Sequence, residues 1–521
     1  MPTTLLALIL TAGGALSAVD TVVVCSDELR PAMEQWVEYR EGQGHGIRFV
    51  QPEATAADTH NRVLAVAQLE PIRFVVLVGD VAGGRSTRLA VPTFSTAAKV
   101  NIHWGPEREI ATDAGYADRD GDSIPDLAVG RLSVQNPREL ATIIQKIIAY
   151  ERCSNEAGWR RRVNFVAGVG GFGAVADTVL ELSAKRLITS GIPAGYATTM
   201  THASWQSPYC PSPDRINATV LERLNEGCLF WVYVGHGQSR RLDRMYTPPN
   251  RAYEILHSND MPALRCQHGA PIALFLSCYA GAFDAQDDCL AEEMLRAPAG
   301  PIAVAASSRV AMPYGMCVLG TNLLQACFQD RSATLGELFL TAKRKMLTEP
   351  RDQPEAKMLD ALAEKLNPAG TSASDERAET AQVFNLLGDP LLRIAHPMAM
   401  PLSAPDRIAA GQRISVQGNA PFGGRCTVEL IVRRDRLTFR SPNRPQFDAS
   451  PEAADVYQST YQRANDPRLI MRELDVPAGD FAVTLPVPDT AFGDCHLRAY
   501  IDGREAFALG ARDIEITRAK N

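Results

Sequence analysis

The chain has 521 residues, 45% hydrophobic and 22% charged, enough for two or three domains and a large core. Its formal net charge of −7 offers no basic footprint for nucleic acid and no polybasic patch for a membrane surface, so neither a nucleic-acid partner nor stable membrane insertion is expected. The 11 cysteines contain no CxxC and no Cys/His pairing at zinc-ligand spacing, which argues against zinc.

Residues 1–18 read as a signal peptide: an apolar core, Leu5–Leu10, precedes small residues, with cleavage expected after Ser17 or Ala18. The core is too short to span a bilayer. Export to the periplasm, cell surface or medium would permit disulfides, and Cys426 and Cys495 are the candidates. Cys25 and Cys228, in or beside apolar runs, read as buried inert thiols.

Strands are expected at Asp20–Cys25, Ile47–Val50 and Phe74–Val78, with helices at Leu29–Gln43 and Asn61–Leu69. Alternation of this kind gives a mostly parallel sheet. Gly44-His45-Gly46 precedes a strand, so His45 belongs to a helix-terminating turn. Asp113, Asp118, Asp120, Asp122 and Asp126 crowd one loop with Gly121 and Pro125. That loop suits either structural calcium, with Asp118, Asp120 and Asp122 as ligands, or an acidic surface turn. Asp126 stands apart because it abuts the apolar run Leu127–Val129. Asn136, Pro137 and Glu139 form a helix start, and that helix runs to about Arg152.

A second α/β segment begins with the strand Val163–Ala167. Gly168–Gly173 satisfies GxGxxG, but the next strand, Gly195–Met200, lacks the acid of a dinucleotide site, so a plain strand-to-helix turn is the better reading. A helix at Thr219–Asn225 leads into the central feature. Leu229–Val234 and Ile272–Leu276 are short, charge-free runs, as expected of buried parallel strands. The first ends at Gly235-His236-Gly237 and the second at Ser277-Cys278. Open α/β sheets place ligands beyond strand carboxyl ends. Further on, Asp287–Leu295, Leu319–Phe328 and Thr334–Leu347 read as helices and Pro301–Ala306 as a strand ending at Ser307-Ser308. An amphipathic patch, Ala356–Leu366, lies in an otherwise loop-like Pro350–Thr380. From Pro397 the pattern becomes short alternating strands, including Arg413–Val416, Cys426–Val432, Asp480–Leu485 and Cys495–Ile501. These predict an immunoglobulin-like sandwich interrupted by a long loop, Thr438–Arg468.

A thiol beside an imidazole is the minimum equipment for nucleophilic acyl transfer, since the thiolate attacks. Gly237 N–H and Cys278 N–H are candidate oxyanion donors, and Asp126 is a candidate to fix the imidazole tautomer. Taken singly, Cys278 is a core thiol and His236 a turn histidine; their joint occurrence at two strand ends favours chemistry.

Several motifs recur in order: VVLVGD at Val75–Asp80, DRDGDSIPDLAVGR at Asp118–Arg131, YVGHG at Tyr233–Gly237, HSNDMP at His257–Pro262, ALFLSCYAGAF at Ala273–Phe283 and FNLLGDPLLRI at Phe384–Ile394. Together they resemble the gingipain-like cysteine peptidases, peptidase family C25, relatives of caspases in fold. The resemblance implies a caspase-like α/β sheet in two subdomains, 19–155 and 156–396, followed by an immunoglobulin-like domain, 397–521. It implies Cys278 as nucleophile, His236 as acid/base and Asp126 as the supporting acid, with no cofactor for the chemistry beyond structural calcium. Glu139 is the nearest match to an acid in the specificity pocket, and Ser307 and Ser308 lie where that pocket would be lined. The expected function is a secreted, monomeric cysteine endopeptidase acting on protein or peptide substrates through a thioester acyl-enzyme. The alternatives are a sortase-like transpeptidase using the same site and a non-catalytic extracellular binding protein.

Overall fold

The computed structural model describes residues 18–81, 87–153, 158–171, 173, 187–503 and 506–518. Residues 1–17 of the leader expected at 1–18, and the helix expected after Gly173, lie outside the described residues.

The strands, in chain order, are β1 (Val19–Cys25), β2 (Gly46–Val50), β3 (Phe74–Val78), β4 (Phe94–Ala97), β5 (Glu109–Thr112), β6 (Ala128–Leu132), β7 (Arg162–Ala167), β8 (Ala197–His202), β9 (Phe230–Val234), β10 (Gly237–Gln238), β11 (Arg241–Leu242), β12 (Arg244–Thr247), β13 (Arg251–Glu254), β14 (Ile272–Leu276), β15 (Ala303–Ser307) and β16 (Phe384–Leu387). Ten of these form one sheet in the order β2-β1-β3-β6-β16-β15-β14-β9-β7-β8. The block β2-β1-β3-β6 is parallel within itself, as is β15-β14-β9-β7-β8. β16 joins them, antiparallel to β15 and meeting β6 at Leu387–Arg131. β3 and β14 are buried at every position, which is why both are free of charge.

The helix expected at 29–43 is a short 3-10 turn, Arg30–Met33, followed by Glu34–Glu41. Asn136 caps its helix as expected, its Oδ1 accepting from Glu139 N–H at 3.0 Å, while the Glu139 carboxylate reaches one residue further back, to Gln135 N–H at 2.8 Å. Two helices replace expected loops: Ala373–Val383 and Pro451–Ala464. Both carry start signals, a Ser372/Asp375 capping box and Ser450 before Pro451. The first was obscured because it buries polar side chains, Glu376 and Glu379.

The C-terminal region packs a larger sheet containing Gly424–Val432, Arg468–Val476, Gly493–Asp502 and Phe507–Thr517 against a three-stranded sheet containing Arg413–Ala420 and Gly479–Pro486. Val416, Val428, Leu430, Leu485 and Leu497 share its core. Cys426 and Cys495 do not form the expected disulfide. In this register Cys426 faces Ile501 and Cys495 faces Val432, which separates the two cysteines by six positions along adjacent strands. At about 3.3 Å per residue that is about 20 Å, far beyond bridging range. Both thiols are free. The region docks on edge strand β8, where the Asn465 side chain donates to Met200 O at 2.9 Å and accepts from Met200 N–H at 2.7 Å.

Candidate active site

β9 and β14 are parallel neighbours with Val234 opposite Leu276, and Gly235 N–H donates to Leu276 O at 3.2 Å. His236 and Cys278 therefore leave the sheet at the same level from strands about 4.8 Å apart. The glycines around His236 allow the turn to close. A β-carbon on Gly237 would stand 2.5 Å from Cys278 O, and one on Gly235 would stand 2.6 Å from Tyr233 Oη and 3.0 Å from Gly168 Cα. Gly168, the first glycine of the GxGxxG stretch, thus serves as packing space for the histidine turn. Tyr233 O–H donates to His236 O at 2.7 Å and fixes the turn from below.

The nucleophile turn is held as firmly. Ser307 Oγ donates to Ser277 O, the carbonyl just before Cys278. Tyr279 adopts φ +56°, a left-handed conformation that costs a side-chain-bearing residue energy. Three hydrogen bonds hold it there: Tyr279 N–H to Arg309 O at 3.1 Å, Ala282 N–H to Tyr279 O at 3.0 Å and Tyr279 O–H to Glu107 Oε2 at 2.7 Å. Ala311 N–H points at Cys278 Sγ from 3.4 Å. Burial raises the thiol pKa above its ordinary value, and only the Ala311 N–H opposes that. A raised thiol requires a base to take its proton during attack.

The other expected site residues are placed differently. Asp126 precedes β6, which lies four strand spacings from β9, so about 19 Å separates the two strands. Its carboxylate pairs with Arg344 at 3.1 Å, and the structure does not bring it to His236. Asp126 instead joins Asp118 and Asp120, whose carboxylate oxygens lie within 4.8 Å of one another. Asp122, expected in that group, turns its carboxylate to Ile124 N–H at 2.7 Å. Glu139 is occupied by Gln135 N–H, by the Asn136 amide at 2.7 Å and by Arg296 at 3.6 Å. Ser307 and Ser308 are fully buried, Ser308 Oγ donating to Ala111 O at 2.6 Å. They brace the turn from within the fold and line no open surface.

Three groups at the site were not expected from sequence. Ala311 and Glu107 reach it through loops whose partners are distant in the chain. Asp243 follows a two-residue strand too short to show periodicity. It directly follows the β10–β11 hairpin, whose first residue, Gly237, directly follows His236.

The model of peptidase family C25 matches residues 15–395. Lys-gingipain from Porphyromonas gingivalis is 20% identical over 289 residues, covering 53% of this chain and 15% of that protein. The chain therefore spans about 15% of the length of the curated relatives it matches. The crystal structure of the Arg-specific cysteine proteinase gingipain R superimposes with a TM-score of 0.53 at 16% identity, covering 96% of this chain and 98% of the other. The complex of the pro- and mature domains of RgpB from the same organism gives 0.52 at 16% identity, covering 96% and 100%. Among the described residues no helix is long and apolar enough to cross a membrane.

Proposed function

The chain belongs to peptidase family C25, and from that premise we propose that it is a cysteine endopeptidase with Cys278 as nucleophile and His236 as its acid/base partner. The observation carrying this reading is the Val234–Leu276 register with Gly237 pressed against the Cys278 carbonyl. It supports an imidazole and a thiol side by side at adjacent strand ends.

In this reaction His236 accepts the Cys278 thiol proton as Sγ attacks the peptide carbonyl carbon. The Gly237 and Cys278 N–H groups are the proposed donors to the oxyanion. Collapse breaks the C–N bond, and the imidazolium protonates the departing amine. Water, deprotonated by the same imidazole, then hydrolyses the thioester. The substrates are proteins or peptides. The enzyme acts after export, a reading supported by the leader-like Leu5–Leu10 run. A structural calcium ion on Asp118, Asp120 and Asp126 fits their oxygen donors.

Cys278→Ala is expected to abolish peptide hydrolysis and to remove iodoacetamide labelling at residue 278. Retained hydrolysis in a folded Cys278→Ala protein would overturn the assignment.

A further inference from the structure

The imidazole of a thiol–imidazole pair works best when a third group holds its orientation and stabilises its charged form. Asp126, the acid suggested by sequence, lies about four strand spacings away. The hairpin that directly follows His236 leads to another. β10 and β11 pair antiparallel, Gly237 opposite Leu242 and Gln238 opposite Arg241, around the turn Ser239-Arg240. Extending that register by one residue sets His236 opposite Asp243. Directly opposed residues of an antiparallel pair bring their β-carbons to about 5 Å, within reach of a carboxylate and a ring. Alternation also gives the two side chains a common face, opposite that of Gly237 and the buried Leu242.

Asp243 is prepared for this role. Its Oδ1 accepts from Arg244 N–H at 2.8 Å, and Ile255 N–H donates to its backbone oxygen at 3.3 Å, so it has little freedom. The side chain is half-buried. Burial pushes its carboxyl pKa up, while the Arg244 N–H, the His236 charge, the Val169 N–H and the Arg241 charge pull it down, in that order. The nearby guanidinium groups are largely committed elsewhere: Arg244 pairs with Glu254, and Arg241 lies 3.8 Å from the same carboxylate. Tyr233 flanks the pair on the strand before His236 and bonds the His236 carbonyl.

We infer that Asp243 is the positioning residue for His236, accepting a hydrogen bond from the imidazole nitrogen turned away from Cys278. This rests on the cysteine-peptidase reading but can be tested apart from it. Asp243→Asn should lower kcat/KM at least about 100-fold with KM little changed. It should also change the tautomer balance of the His236 imidazole, read from the ring nitrogen shifts by NMR on labelled histidine, whether or not turnover is seen. Asp243→Glu, which keeps the charge, should recover most of the loss, whereas a packing role would suffer equally from both changes. If Asp243→Asn does not fold, the wild type decides. Neutral His236 should occupy a single tautomer by its nitrogen shifts; averaging over both tautomers would overturn the inference. Unchanged His236 ring nitrogen shifts and near-wild-type kcat/KM in folded Asp243→Asn would do the same. Loss of activity in Cys278→Ala alongside that result would leave the peptidase reading standing.

Discussion

Gly237 approaches Cys278 so closely that a β-carbon on residue 237 would stand 2.5 Å from the Cys278 carbonyl oxygen. The obstruction is backbone, with Ser277 Oγ a further 2.7 Å contact, so no flexible side chain can yield. Gly237→Ala must therefore separate the histidine and cysteine turns. The expected cost is about 1–3 kcal/mol of stability, from overpacking. The expected catalytic loss is larger, about 100-fold in kcat/KM, because displacing a reacting pair by about 1 Å is enough for that. Urea unfolding and steady-state kinetics on one preparation would separate the two effects. Wild-type kcat/KM in this variant would contradict the proximity argument.

Asp126 makes the opposite prediction. Were it the orienting acid, Asp126→Asn would lower kcat by about four orders of magnitude, as loss of that role does in a serine triad. Its place before β6 and its pairing with Arg344 predict a change in kcat/KM within about twofold, and a stability loss below about 1 kcal/mol for a partly exposed ion pair. The same substitution removes one of the three clustered carboxylates, so it should shrink the rise in melting temperature that calcium produces over an EGTA control.

The contrast between these residues shows how far the site was legible in sequence. β9 and β14 were readable because strands buried on both faces must be continuous apolar runs, and the turns after them announced themselves by glycine and reactive side chains. Strand order was not readable. Asp126 sits in a motif that looks catalytic along the chain, yet β16, β15 and β14 intervene between its strand and β9. Asp243 was missed for the converse reason: the strands that bring it opposite His236 are two residues long, below any period a pattern can register. Ser308 lies beyond a strand end as expected, whereas Ser307 is the last residue of β15 itself, and whether such residues face the cleft or the core depends on the β4–β5 hairpin and the Val383 backbone that close over them.

Tyr279 tests whether strain in the nucleophile turn is functional. Its left-handed backbone follows Cys278 immediately, and its hydroxyl bond to Glu107 is one of three hydrogen bonds that hold it. Tyr279→Phe removes that bond and keeps the ring. A single hydrogen bond to a carboxylate is worth about 1.5–3 kcal/mol. The loss should appear mainly as a fall in kcat of about tenfold or more, with slower alkylation of Cys278 as the turn relaxes. Equal alkylation rates in the two proteins would mean that the backbone bonds to Arg309 O and from Ala282 N–H maintain the turn without the hydroxyl.

Glu376 gives a pH signature that is independent of catalysis. It is almost fully buried in the helix Ala373–Val383, where Oε1 accepts from Gly315 N–H at 2.8 Å. Burial pushes its carboxyl up to about 7, the Gly315 N–H pulling the other way and the charge of Glu379 adding to the rise. An unfolded glutamate titrates near 4.3. Between those values the folded state holds more protons than the unfolded state, so stability falls as pH rises. The contribution is fully present below about pH 4 and lost by pH 8, a swing of about 3 kcal/mol from this residue. Glu376→Gln retains an oxygen for Gly315 N–H and cannot ionise. Urea unfolding at pH 5 and pH 8 should show the variant close to wild type at the lower pH and more stable at the higher. Parallel pH profiles for the two proteins would show that Glu376 is ionised in the fold throughout.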